Sequence, residues 1–372
     1  MGYALHEPQK SVKIPQLQRA IVCLSNGELG HVRDAPIPPI APDMVLVRTA
    51  AVALNPTDYK MFANFPTPGA ISGCDFAGTV AAVGSAASSR FKVGDRVCGG
   101  VHGANPADLA VGAFAEYVGA TADILAAIPP HLSFTDAAAI GGAGPATMAL
   151  ALRDELGLAI DPCACSERKD EFVLVYGGST ATGTMALQFL RRAGYRAIAT
   201  CSPRNADLVR FYGAEAVFDY QSEQCAEEIR SYTKNTLRYV LDCITAPETV
   251  GLCLGSIGRA GGMYCGLEAF GDELRLRKAV SMGWVLALSI FGKRIALDRG
   301  YGREADPRHR VLGREMFEEV ERMLQNGELR AHPVRVMDEG WEDIPRGLGL
   351  LKAKKVSGEK LVYIVDKCQM DL

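Results

Sequence analysis

Apolar positions fall into two textures along the chain. From Glu171 onward they come as short unbroken runs separated by amphipathic stretches. Residues 172–176 form one such run, and the turn Gly177-Gly178-Ser179-Thr180-Ala181-Thr182-Gly183 follows it. Met185, Leu187, Phe189 and Leu190 supply the apolar positions of the next stretch, Arg191 and Arg192 close it, and Gly194 stops it before a second run at 197–201. This order predicts strand, turn, helix, strand. A strand apolar throughout belongs in a parallel sheet covered on both faces. The alternation continues with strands at 216–220, 239–244 and 262–267 and helices at 206–212, 223–233 and 247–257.

Upstream the texture is different. Residues 20–24 and 44–53 read as strands on either side of a proline-rich connection, 74–95 holds short β-type runs punctuated by glycine, and 113–118 reads as a further strand. Many short strands with Gly and Pro turns predict a partly open β-barrel. A helix start at Ser133 or Thr135 leads into a run of alanines, and 145–156 predicts a second helix. Near the end, Leu312, Met316, Val320, Met323 and Leu324 share one helical face that Asn326-Gly327 terminates. A strand around 332–337, a helix at 344–354 and a strand at 360–365 are then expected to return to the barrel. The fold class is therefore α/β, with a doubly wound parallel sheet inserted into a β-rich lobe. The expected bounds are 1–165 and 306–372 for the barrel and 166–305 for the insertion. Residues 262–270 read as the edge of the sheet. The charges from Asp272 to Lys278 beside them discourage strand pairing with another copy, which predicts a monomer.

The glycine-rich turn opens a helix, and the first N–H groups of a helix stabilise an anion. Glycines there let the backbone approach a pyrophosphate closely. A site for NAD carries Asp or Glu at the end of the second strand to hold the ribose hydroxyls. No carboxylate lies between Gly194 and Asn205; Ser202, Arg204 and Asn205 stand there instead. A guanidinium and a hydroxyl bind a ribose phosphate that a carboxylate would repel, so the expected cofactor is NADPH.

Composition narrows the remaining classes. At 372 residues the chain can build two cores, and a net charge of -3 gives no support for nucleic-acid binding. The longest apolar stretch, 279–291, is broken by Ser281, Gly283 and Ser289 and is too short for a bilayer. The first ten residues hold no continuous apolar segment, and His6 stands where myristoylation after Gly2 needs Ser or Thr, so neither a secretory signal nor a lipid is expected. Eleven scattered cysteines without a C-x-x-C pair fit a reducing, cytoplasmic setting and no metal. Cys163 and Cys165 make an isolated C-x-C in a polar loop, and the six histidines do not cluster. Cys98, Cys201, Cys243 and Cys265 are expected as small buried strand residues, and Asp95 with Arg96 as a turn pair.

Several longer stretches carry a family likeness. Residues 50–62 (AAVALNPTDYKMF), 73–84 (GCDFAGTVAAVG) and 91–99 (FKVGDRVCG), with GAFAEYV, LSFTDAAAI and the terminal SGEKLVYIV, resemble the medium-chain dehydrogenase/reductase superfamily over nearly the whole chain. The resemblance implies a GroES-like lobe and a Rossmann lobe. The zinc branch carries a Cys or His ligand where this chain has Asn55, and His-Glu where it has Cys74-Asp75, and its four-cysteine lobe has no counterpart here. The chain thus resembles the zinc-free reductases, and LNPTDYKMF, GGSTATG, TCSPRN and LSFTDAAAIGGAGPATMALAL most resemble the trans-acting enoyl reductases of fungal polyketide synthases, of the lovastatin type.

That resemblance implies reduction of an α,β-unsaturated thioester on the acyl carrier domain of a polyketide synthase, or of a hybrid synthase–nonribosomal peptide synthetase. It implies NADPH contacts at Asn55, Pro56, Thr57, Asp58, Ser179, Thr180, Ala181, Thr182, Ser202, Pro203, Arg204, Asn205, Tyr220, Leu267, Glu268, Val356 and Ser357. Substrate contacts are implied at Gly144, Pro145, Ala146, Thr147, Met148, Ala149, Leu150, Ala151, Ala287, Leu288, Ser289, Ile290 and Phe291. Lys60 is the candidate for electrostatic help, beside the cofactor edge, and Tyr59 the candidate proton donor; a surface charge and a packing ring are the plain alternatives. Thr147 has a local helix-start reading, and Trp284 and Phe291 a core reading, beside any role in a pocket. Tyr220 and Glu268 follow strand ends, where ligands of such sheets lie. Two other readings stay open: a free-standing quinone or alkenal reductase, and a non-catalytic binding protein on a reductase fold.

Overall fold

The computed structural model describes residues 14–160 and 168–370. The readings at Gly2 and His6 and the Cys163–Cys165 pair lie outside the described residues.

The barrel lobe begins with an antiparallel hairpin, β1 (Leu17–Cys23) and β2 (Leu29–Pro36). The long strand β3 (Met44–Ala53) follows and is buried along almost its whole length. Then come the helix α1 (Pro56–Asn64) and the strands β4 (Asp75–Val83), β5 (Arg96–Gly100), β6 (Tyr117–Thr121) and β7 (Leu125–Ala127). The strand expected at 113–118 is paired only from Tyr117 onward, and Ala115 makes no more than an isolated bridge to Ala20. Asp95 and Arg96 do not pair with each other. The Asp95 carboxylate accepts from the Lys92 N–H at 2.9 Å, while the Arg96 guanidinium reaches the Leu132 carbonyl at 2.9 Å and lies over the Phe134 ring.

Two short helices, α2 (Phe134–Ile140) and α3 (Ala143–Met148), leave the barrel. Ser133 caps the first through the Asp136 N–H, as its side chain and position predict. The helix expected at 145–156 changes pitch halfway. Residues Ala149–Glu155 are π-helical, and the Leu156 N–H bonds to the Ala151 carbonyl five residues back.

The second lobe runs β8 (Phe172–Tyr176), α4 (Ala181–Arg192), β9 (Arg196–Cys201), α5 (Ala206–Phe211), β10 (Ala216–Asp219), α6 (Cys225–Tyr232), β11 (Tyr239–Asp242), α7 (Pro247–Ser256), β12 (Gly262–Gly266) and β13 (Val280–Trp284). Among the described residues the six strands of this sheet are all parallel, in the order β10-β9-β8-β11-β12-β13. The chain builds outward from β8 in one direction and from β11 in the other, so the sheet has its topological switch between them. The edge expected at 262–270 is corrected here: β12 is interior, and β13 pairs along its outer side. Residues 272–278 form the connection between those strands rather than flanking a free edge. Arg275 still covers part of the new edge, because its guanidinium bonds to the Met282 carbonyl at 2.6 Å.

The chain then enters α8 (Pro307–Gln325), β14 (Val334–Val336), α9 (Ile344–Lys352) and β15 (Lys360–Ile364). β15 lies antiparallel to β3, which gives the barrel sheet the order β14-β15-β3-β4-β5-β7 with β6 also on β3. One apolar cluster is continuous through both lobes, from Ala50 and Ala53 of β3 through Ala137 to Ile140 of α2 to Val173 and Leu187 of the second lobe. Such packing sets the lobes against each other at a fixed angle and leaves a cleft along their seam. Among the described residues no helix is long and apolar enough to cross a membrane.

Candidate active site

The cleft lies where the C-terminal ends of β11 and β12 face α1 and α3. It encloses a cavity of about 210 Å³. Its walls are apolar: Met61 from α1 and Phe65 just past its end, Ile124 from the barrel, and Leu286, Leu288, Ile290, Phe291 and Leu297 from the segment after β13. The polar side chains that reach it are few, chiefly Asn55, Thr57, Lys60, Thr147, Thr182, Glu268 and Tyr301.

Asn55 starts α1 and Pro56 fits its first turn, a pairing that favours a helix start. Its side chain is held on both sides. The amide donates to Asp75 at 2.8 Å, and the amide oxygen accepts from the Lys360 ammonium at 2.6 Å. Asp75 is fully buried; its other oxygen accepts the N–H groups of Gly142 and Ala143, each at 2.8 Å, at the start of α3. One carboxylate thus ties the beginnings of two cleft-lining helices together. Asp58 folds back inside α1 to accept the Asn55 N–H at 2.7 Å, and burial pushes its carboxyl up to about 7. The Cys74 thiol lies against it, and burial raises that thiol too. Among the described residues no group of three or more His, Cys, Asp or Glu side chains is placed to hold a metal ion. Around Asn55 and Asp75 the buried cation is the Lys360 ammonium.

Lys60 points from α1 across the cleft to Glu268, with Nζ 2.5 Å from Oε2. Glu268 lies just past β12, where the loop is fixed by Thr245: its hydroxyl accepts the Leu267 N–H at 2.8 Å and donates to the Asp242 carbonyl. Asp242 is fully buried and organises that strand end through the Ile244 and Thr245 N–H groups, the Thr249 hydroxyl and the Tyr264 hydroxyl. The second oxygen of Glu268 accepts from the Tyr301 hydroxyl. Thr147 faces the cleft while its hydroxyl donates to the Ala143 carbonyl at 2.7 Å, so the local and cleft-facing readings both describe it.

A second polar group lies at the outer end of the sheet. Gly177 turns with φ +77°, and Thr180 caps α4 by accepting the Gly183 N–H at 2.9 Å. A Cβ on Gly183 would come within 2.5 Å of the Gly177 carbonyl oxygen, so the turn closes only with glycine there. α4 starts at Ala181, directly after this turn, and the first N–H groups of a helix are the ones suited to hold a pyrophosphate. Beyond β9, the Ser202 and Tyr220 hydroxyls are 3.4 Å apart, and the Asn205 amide donates to the Ser357 hydroxyl at 3.1 Å. Arg204 is exposed and has no ion-pair partner among the described residues. Val356 is half-buried beside these groups. The donor set is cationic and hydroxylic, which suits a ribose phosphate.

Some expected residues stand elsewhere. Tyr59 packs its ring against the barrel core, and Asp58 is enclosed beneath α1. Met148, Ala149, Leu150 and Ala151 are buried behind the cleft wall, and Gly144, Pro145 and Ser289 do not line the cavity. Ala146, Ala287, Leu288, Ile290 and Phe291 do. Trp284 ends β13 half-buried and packs edge-on against Tyr301. Lys360, Thr245 and Tyr301 were not singled out from the sequence. Lys360 sits in a recognised motif, but its partner is 285 positions away. Tyr301 lies in a loop without periodicity.

Two family models match the chain: the alcohol dehydrogenase GroES-like domain over residues 41–130 and the zinc-binding dehydrogenase over 181–295. With the barrel, the parallel sheet and the cleft between them, they define a medium-chain dehydrogenase/reductase, an oxidoreductase. The chain is 50% identical over 356 residues to the trans-enoyl reductase ffsC of Aspergillus flavipes, covering 95% of this chain and 97% of that one. It is 50% identical over 366 residues to the trans-enoyl reductase caaB of Aspergillus niger, covering 96% and 100%. The chain belongs to this family and is an enoyl reductase. The solved structure of mycobacterial Rv1454c complexed with NADPH has the same fold, with a TM-score of 0.70 at 23% identity over 93% of this chain and 99% of that one.

Proposed function

We propose that this enoyl reductase uses NADPH to saturate the α,β-double bond of a polyketide thioester delivered on an acyl carrier domain, acting in trans for a polyketide synthase or a hybrid synthase–nonribosomal peptide synthetase. The observation that carries the reading is the Lys60 ammonium set at the strand ends among apolar walls. Such a cleft accepts an acyl chain and offers charge only where the thioester oxygen gains it. The relatives' shared designation as trans-enoyl reductases supports a partner that supplies the substrate.

When bound, NADPH supplies the hydride that reaches Cβ. The chain's own residues hold and orient. The start of α4, at Ser179, Thr180, Ala181 and Thr182, takes the pyrophosphate. Ser202, Pro203, Arg204, Asn205 and Ser357 surround the ribose phosphate, and Tyr220 covers the adenosine. Asn55, Pro56, Thr57, Leu267 and Glu268 border the nicotinamide half, with Asp58 fixing Asn55 from beneath, and Val356 lies beside Ser357 at the ribose-phosphate end. Lys60 donates to the thioester oxygen as negative charge develops there. Thr147 and residues 287–291 face the acyl chain. Tyr59 is packed away from the cleft, so the Cα proton is assigned to water. The lobes divide at about 165/166 and 305/306, and we read the protein as a cytoplasmic monomer whose β13 edge is partly covered by Arg275.

The test is NADPH oxidation by the purified protein, first with an α,β-unsaturated N-acetylcysteamine thioester and then with a quinone and alkenal panel. Co-incubation with candidate synthases, reading product saturation by mass spectrometry, follows. Turnover confined to quinones, or equal use of NADH and NADPH, would overturn the reading.

A further inference from the structure

Glu268 poses a physical problem. It is a carboxylate with its side chain 25% exposed, set in a cleft with apolar walls. Left alone, it would repel the charge that develops on a thioester oxygen nearby, and it would draw the Lys60 ammonium fully onto itself. The structure divides its two oxygens between different donors. Oε2 faces the Lys60 Nζ, and Oε1 accepts the Tyr301 hydroxyl. The donors come from different elements, Lys60 from α1 and Tyr301 from the loop between β13 and α8.

Tyr301 is held in place independently of Glu268. Its ring packs edge-on against Phe65, at 5.4 Å between centroids, and against Trp284, at 5.3 Å. The Arg303 guanidinium lies 4.4 Å over the Trp284 ring and bonds to the Gly300 and Gly302 carbonyls, which closes the loop around Tyr301. A paired bridge between Ile295 and Arg303 ties the base of the loop. The hydroxyl is therefore presented by a rigid support. Burial and the bond to Glu268 push its pKa up to about 12, so it remains a donor at neutral pH.

We propose that Tyr301 is a positioning residue for the reduction: by occupying Oε1 it restricts Glu268 to a one-oxygen contact with Lys60 and leaves ammonium N–H groups free to face the acyl carbonyl. Without the hydroxyl, Glu268 turns both oxygens onto Lys60 and withdraws the ammonium. The inference rests on the enoyl thioester reading above.

The experiment compares wild type with Tyr301→Phe, which keeps the ring packing and removes the hydroxyl, in single and double variants with Glu268→Gln. The full-length protein is assayed with NADPH and an α,β-unsaturated N-acetylcysteamine thioester. Tyr301→Phe is expected to lower kcat about tenfold, with KM and melting temperature nearly unchanged. In the Glu268→Gln background the same substitution is expected to cost less than about twofold, because the neutral amide has no charge to redirect. A second readout needs no turnover: the rate at which trinitrobenzenesulfonate labels Lys60 in the cofactor-free protein, followed by mass spectrometry, should fall severalfold in Tyr301→Phe. Wild-type kcat in Tyr301→Phe, an equal loss in the Glu268→Gln background, or an unchanged labelling rate overturns the inference while leaving the function standing. A wild type that does not reduce the thioester overturns both.

Discussion

The ammonium of Lys360 lies 3.1 Å from the Asp75 carboxylate, with the two side chains 7% and 0% exposed. The pair joins the last strand of the barrel to the first strand after α1, and it also holds Asn55 and the start of α3. Five polar contacts thus converge on two buried charges. Removing both charges is far milder than removing one, because a lone buried charge has no compensation.

Lys360→Met is therefore expected to cost roughly 3–5 kcal/mol of stability, and the double variant Lys360→Met with Asp75→Asn clearly less. Urea unfolding of the three proteins measures it. A double variant as unstable as the single one would show that the pair is not what holds this corner.

Gly141 has φ +54°, and a Cβ there would stand 2.3 Å from the Asp75 side-chain carbon. Gly141→Ala strains the backbone and pushes the carboxylate off the α3 N–H groups. The expected loss is about 2–4 kcal/mol, from overpacking together with the left-handed backbone. Thermal unfolding of the variant checks it, and a melting temperature equal to wild type would contradict the packing described.

Asp58 gives a pH dependence of known sign. Burial pushes its folded pKa up to about 7, above the ordinary 3.8 of an aspartate, so between these values the folded state binds more protons than the unfolded state. Its contribution is fully present below pH 3.8 and is lost as pH rises through 7. Burial pulls His332 down to about 3 and His102 to about 4, and these act in the opposite direction, costing stability as pH falls below 6.5. Comparison with Asp58→Asn separates them. The stability of wild type minus that of the variant should fall from pH 4 to pH 8, measured by denaturant unfolding at each pH. A flat difference would mean that Asp58 is charged throughout.

Fold and nucleotide turn were legible because their signals are local. The run at Phe172–Tyr176, the glycines around Thr180 and the Ser133 cap each reside within a few residues. Strand β13 was read as an interrupted apolar stretch, because Ser281 and Gly283 break its run and only the partner β12 makes it a strand. The edge was misplaced for the same reason. Within the site, Asn55, Lys60 and Glu268 could be named, but their connections could not. The Lys60–Glu268 pair spans 208 positions and the Lys360–Asn55 bond 305, and no periodicity encodes such a distance. The residues at 148–151 share a motif with Thr147, yet helical geometry turns them into the core.

Cofactor preference should follow Arg204. It is exposed beyond β9, near Ser202, Asn205 and Ser357, and lacks an ion-pair partner among the described residues. Charge reversal by Arg204→Asp is expected to lower kcat/KM for NADPH about tenfold to a hundredfold, the worth of one charged hydrogen bond, while NADH changes little. Steady-state kinetics with both cofactors measures the ratio. An equal effect on both would place Arg204 away from the ribose phosphate.

The charge balance of the cleft gives the last prediction. Lys60 and Glu268 are 2.5 Å apart, so replacing only the lysine removes a donor and also exposes a carboxylate. Lys60→Met should lower kcat about a hundredfold or more, comparable with loss of a donor to a developing oxyanion. If the remaining carboxylate opposes that charge, Glu268→Gln added to Lys60→Met restores part of the rate, even though Glu268→Gln alone slows wild type. The sign of that interaction is what distinguishes electrostatics from simple loss of contacts, which would make the double variant slower than either single one. Measuring kcat for the four proteins at saturating NADPH decides it. A double variant no faster than Lys60→Met would leave Glu268 as a contact residue with no bearing on the charge that Lys60 meets.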